Sequence, residues 1–129
     1  MTNAEKLARI DSILSEIPSF KCKEGCADCC GPVEMSRLEY HRCVKASGRT
    51  AEELRQQMER NIKRNIYQCP LIDQKTHRCT VYQVRPAICR IFGTTKNLPC
   101  PHGYAPDAAQ MLSDEKAREI LALVGELGK

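Results

Sequence analysis

Three observations predict a mainly α, small helical domain around a cysteine-rich metal-binding core, with at most a short β-hairpin. Apolar residues recur at intervals of three and four toward both ends of the chain. Three capping boxes, Thr2 with Glu5, Ser36 with Glu39 and Thr50 with Glu53, mark helix starts. Nine cysteines stand among 129 residues, while Leu, Ile, Val and Phe make up only about 20% of the chain, the edge at which chains tend to stay disordered. Trp is absent and Phe occurs twice. Apolar burial alone is therefore a thin framework, and cysteine chemistry has to supply the rest.

The first helix starts at Thr2 and places Leu7, Ile10, Ile13, Leu14 and Ile17 on one side, and Pro18 stops it. KCKEGCADCCGP then forms a tight loop with Gly25, Gly31 and Pro32 as breakers. Ser36 opens a helix to about Ala46, which Gly48 ends. The helix behind Thr50 carries Leu54, Met58, Ile62 and Ile66 as an apolar stripe. From Cys69 to Pro106 the pattern changes, because five of the seven prolines lie there. Leu71–Ile72 and Thr80–Val81–Tyr82, separated by DQKTHRC, can pair as the short hairpin. RPAICRIF reads as one or two helical turns with Pro86 in the first. Ser113 opens a last helix with Ala117, Ile120, Leu121, Val124 and Leu127 on its buried face. The division is an N-terminal helix over 1–19, a cysteine-cluster domain over 20–106, and a C-terminal helix over 107–129 that packs on that domain.

Compartment and cysteine count decide between disulfides and metal. No apolar run approaches the ~20 residues needed to cross a bilayer, so no membrane association is expected. Glu5, Lys6, Arg9, Asp11 and Glu16 break up any secretory core at the start. With an odd number of cysteines and no export signal, the expected location is cytoplasmic, where clustered cysteines bind metal or do redox work.

Four thiols fall within nine residues: Cys22, Cys26, Cys29 and Cys30. Four more follow at wider spacing: Cys69, Cys79, Cys89 and Cys100. Thiolate is a soft ligand that selects zinc, copper(I) or iron–sulfur clusters over hard cations. Adjacent side chains diverge, so Cys29 and Cys30 serve different centres or different edges of one. Cys43 lies in the middle of a helix, fits no ligand spacing, and is expected to behave as a small core residue. His41, His77 and His102 lack partners at ligand spacing and are left out. C-x3-C-x2-C is also the spacing of radical SAM enzymes, but those need a β/α barrel that this chain is too short and strand-poor to build. Two centres stay open. Zinc in four-thiolate sites would supply folding energy, although only Cys26–Cys29 has knuckle spacing. An iron–sulfur cluster, 4Fe–4S by preference, suits a dense array with distant cysteines and no histidine.

KCKEGCADCCGPVEMSRLEY, followed by CPLI, CTVYQVRPAICRIFG and CPHG, resembles the YkgJ-type cysteine-cluster family, CxxCxxCC, a zinc- or iron-chelating domain, over about residues 20–105. The resemblance implies a ligand set of Cys22, Cys26, Cys29, Cys30, Cys69, Cys79, Cys89 and Cys100, again without Cys43. One departure is the three residues, rather than two, between Cys22 and Cys26. One branch of the family, the flagellin lysine N-methylases, looks like an iron–sulfur enzyme using S-adenosylmethionine. Those proteins are much longer, so methyl transfer is not carried over. Arg85 and Arg90 lie in the same motif and are candidate cofactor-binding residues, since guanidinium groups can donate charge-assisted hydrogen bonds to thiolate sulfur. An ordinary ion pair is the other role open to them, and Tyr82 can pack or donate.

The formal charge of +4 counts every cysteine as neutral. Eight thiolates with two zinc ions bring it to zero, and four thiolates on one cubane bring it to +2. With few aromatics besides, nucleic acid is not an expected partner. The expectation is a cysteine-cluster metal-binding protein holding an iron–sulfur cluster for electron transfer or redox work, with a redox protein as partner. The alternative is a zinc domain, structural or metal-handling. No nucleophile–base pair or phosphate loop marks an enzyme.

Overall fold

Short-range chemistry starts the helices. In the computed structural model, which describes residues 1–21, 31 and 33–129, all three capping boxes form. Thr2 caps α1 (Asn3–Leu14), Ser36 caps α2 (Arg37–Ser47) and Thr50 caps α3 (Ala51–Lys63). Each hydroxyl accepts the backbone N–H three residues on, and the glutamate there reaches back. Gly48 ends α2 in the left-handed region at φ 70°. Pro86 is the N-cap of a five-residue helix, α4 (Ala87–Ile91), rather than part of its first turn. Ser113 caps α5 (Asp114–Leu127).

Two apolar clusters follow from the helical stripes. The first joins Ile10, Leu14 and Ile17 to Ala87 and Ile91 of α4 and to Ala117, Ile120 and Val124 of α5. Glu16, just past α1, meets Lys116 in the first turn of α5 at 3.5 Å. The second cluster is Cys43, Leu54, Leu71 and Val81, with Met35, Val44, Cys69, Cys79 and Val84 packed against it. Between the clusters, α2 is tied to α1 by Arg42–Asp11 at 2.7 Å and to the end of α5 by Leu38 N–H to Gly128 O at 2.9 Å. The approach at Gly128 is close enough that a Cβ there would overlap the Ser36 side chain.

Three expectations are corrected. The α3 stripe is Leu54 and Asn61 rather than an unbroken apolar row: Ile62 is 57% exposed, and Ile66 lies beyond the helix, which stops at Lys63. Asn61 takes the inner position because its side chain can pair, with Gln57 donating to its Oδ1 at 2.9 Å. The hairpin contracts to a single antiparallel bridge between Ile72 and Cys79. Tyr82 belongs to a 3-10 turn over Tyr82–Val84 and not to a strand. Among the described residues there is no strand, and no helix is long and apolar enough to cross a membrane.

Candidate metal centre

Each half-buried thiol of the central segment is placed by its own local device. Cys69 follows α3, and the exit is pinned by Ile66 N–H to Asn61 O at 2.8 Å and by Arg49 Nη1 to Pro70 O at 3.2 Å. The Leu71 N–H donates toward the Cys69 sulfur. Asp73 then builds a tight turn, its Oδ1 accepting from Lys75 N–H at 2.8 Å and Thr76 N–H at 2.9 Å. These two bonds hold its carboxyl below the usual range. His77 completes the reversal in the left-handed region at φ 56°. Thr80 N–H bonds Leu71 O at 3.0 Å, which sets Cys79 opposite Ile72 and near Cys69. Cys89 is the third residue of α4.

These thiols share one neighbourhood. Burial pushes the Cys89 thiol up to about 12, with Cys69 and Cys79 adding to the rise and Arg85 opposing it. Burial also raises Cys69, and Cys79 adds to it. Cys43, 1% exposed, is lifted to about 11 by burial and then by Cys79. Its thiol donates to Val84 O at 3.6 Å, so it is a core residue, as the sequence suggested, and it also lies against the ligand candidates. Cys100 lies in a proline-flanked turn where its sulfur accepts from His102 N–H at 3.4 Å. Cys22, Cys26, Cys29 and Cys30 lie outside the described residues. Among the described residues, no three His, Cys, Asp or Glu side chains close on a point that could hold a metal ion.

The arginines of the motif take different positions. Arg85 stacks over the Tyr82 ring at 3.8 Å, donates through Nε to Tyr82 O at 3.1 Å, and puts its charge toward Cys89. Arg90 donates to Arg85 O at 2.8 Å and Gln83 O at 3.1 Å, clamping the backbone of the 3-10 turn. Sequence reasoning passed over Arg42. Its Nη1 bonds Asp11, while Nε and Nη2 are buried without an acceptor among the described residues. Nothing in the spacing distinguishes it from other helix-surface arginines.

Soft thiols gathered from a turn and a short helix, on a helical frame, define a class: the small cysteine-cluster domain. The chain belongs to the family described as CxxCxxCC, putative zinc- or iron-chelating domain, whose model matches residues 21–117. It is thus a metal-binding, cysteine-rich domain. No curated protein and no solved structure matches the chain.

Proposed function

We propose that this protein holds an iron–sulfur cluster, 4Fe–4S in type, and uses it for electron transfer or as a redox-active site in the cytoplasm, with a redox protein as partner. The observation that carries the reading is the shared, half-buried neighbourhood of Cys69, Cys79 and Cys89, which is incomplete by itself. A centre there needs further sulfur, and the dense array from Cys22 to Cys30 is the richest source of it. A short-range array combined with distant cysteines suits cluster ligation. The donor set fits: soft sulfur, part-buried, with no disulfide pairing Cys43, Cys69, Cys79, Cys89 or Cys100.

In this reading Cys22, Cys26, Cys29, Cys30, Cys69, Cys79, Cys89 and Cys100 are the ligand candidates. Arg85 offsets thiolate charge beside Cys89, and Arg90 holds the turn that presents Arg85. When bound, the cluster supplies one-electron redox chemistry. The chain's part is to hold the sulfurs, limit water and tune charge.

The test is anaerobic purification followed by absorption spectroscopy and elemental analysis. Brown protein with near-stoichiometric iron and sulfide is the expected result. Colourless protein with one or two zinc ions under those conditions makes this a structural or metal-handling zinc domain instead. Aerobic preparation is unsuitable, because zinc occupies thiolate sites readily once iron is lost.

A further inference from the structure

Residues on both sides of the first cysteine array are fastened to the helix that carries Cys89. Upstream, the Phe20 ring lies against Gly93 just past α4, where a Cβ would stand only 3.0 Å from Cε1 and 3.1 Å from Cε2. Downstream, Glu39 does two jobs with one carboxylate. Its Oε1 accepts from Ser36 N–H at 3.2 Å and Ser36 Oγ–H at 2.8 Å, completing the capping box of α2. Its Oε2 accepts from the N–H of Ala87, the first residue of α4, at 2.7 Å. Glu39 is 3% exposed, so this charge-assisted bond lies where water competes little and direction matters most.

Left to itself, α4 is poorly specified. It has five residues, far below the length at which helices hold in isolation. Its N-cap is Pro86, which offers no side-chain acceptor. Glu39 supplies that acceptor from another helix, 48 positions earlier in the chain. Cys89 stands two residues beyond the donor. The other two capping-box glutamates, Glu5 and Glu53, are exposed, and among the described residues their carboxylates accept hydrogen bonds from their own N-caps.

We propose that Glu39 is the positioning residue for Cys89: it fixes the start of α4 so that the thiol faces Cys69, Cys79 and the metal held with them. The proposal rests on Cys89 being a ligand. Removing the partner that orients a metal ligand typically weakens metal binding 10- to 100-fold.

The experiment is a competition titration with Zn2+ against a chromophoric chelator, on the reduced, metal-free full chain. Glu39→Ala is expected to weaken Zn2+ binding about 10- to 100-fold. Glu39→Gln, whose single amide oxygen accepts from Ala87 N–H while its NH2 can donate to Ser36 Oγ but gives up the bond from Ser36 N–H, is expected to recover part of that loss. Glu53→Ala, the same capping box without a second job, is expected to bind like the parent chain. In a Cys89→Ala background, Glu39→Ala is expected to add no further loss, because the ligand it positions is gone. Undiminished binding by Glu39→Ala, or an equal loss with and without Cys89, overturns the proposal. Parent-like binding by Cys89→Ala alone overturns the ligand assignment beneath it, a different and recognisable result. If Glu39→Ala loses its helical circular dichroism, Ala87→Pro takes its place in the same cycle. It deletes the donor at a first-turn position whose φ suits proline, and because Ala87 is buried in the first cluster, Ala87→Val, which adds bulk but keeps the N–H, is its control.

Discussion

Burial lifts the thiol of Cys43 to about 11 and that of Cys89 to about 12, and neighbouring thiols reinforce both shifts. In metal-free protein the folded state therefore holds these protons more tightly than the unfolded chain, whose thiols titrate near 9.0. The stabilising contribution is complete below pH 9 and is lost as pH rises through 11 to 12. The thermal midpoint of the chelated, reduced protein is expected to fall across that window, and a flat profile would count against the buried-thiol account. Cys43 also separates packing from ligation. Cys43→Ala is expected to keep its metal and cost about 0.5–3 kcal/mol, read by metal counting and urea denaturation. Loss of metal as severe as in Cys30→Ala would put Cys43 among the ligands.

Helices α1, α4 and α5 share one core, and its central side chains Ile10, Ile91 and Ile120 are wholly inaccessible. Ile120→Ala is expected to cost about 2–5 kcal/mol in chemical denaturation. At the far end of α4, Gly93 has φ 86° and the Phe20 ring against it. Gly93→Ala would meet both backbone strain and overlap, with an expected loss of about 2–4 kcal/mol and reduced metal content. A ring that moves aside would leave the backbone strain alone, and parent-like stability would overturn both costs. These elements show what a sequence discloses. The capping boxes, the end of α2 at Gly48 and the stripes of α1 and α5 were legible because each is set within a few residues. The exposure of Ile62, the burial of Asn61 and the second bond of Glu39 were not. The first two turn on which face of α3 the rest of the fold covers, and the last on a distant element, since Ala87 lies 48 positions from Glu39.

Over the whole molecule, the two clusters differ in what holds them. The first is purely apolar, whereas Cys69 and Cys79 form part of the second. Metal removal is therefore expected to loosen the second cluster and the segment from 65 to 84 while α1 and α5 keep their protection, since metal-binding energy is folding energy in such domains. Hydrogen exchange with and without chelator checks this, and unchanged protection of that segment would overturn it. The place of Cys43 in the core could be read from spacing, whereas the gathering of Cys69, Cys79 and Cys89 into one neighbourhood could not, because that depends on how turn and helix meet in space. The pairing of α1 with α5 also orders events in time. The first cluster stays open until Asp114–Leu127 has been made, yet every cysteine precedes that helix. At synthesis rates of about 5–20 residues per second, the cysteines of a growing chain are joined before the residues that close the core, the first array by several seconds. During translation, then, metal capture can precede closure of the helical frame, and the ribosome sets the interval between them.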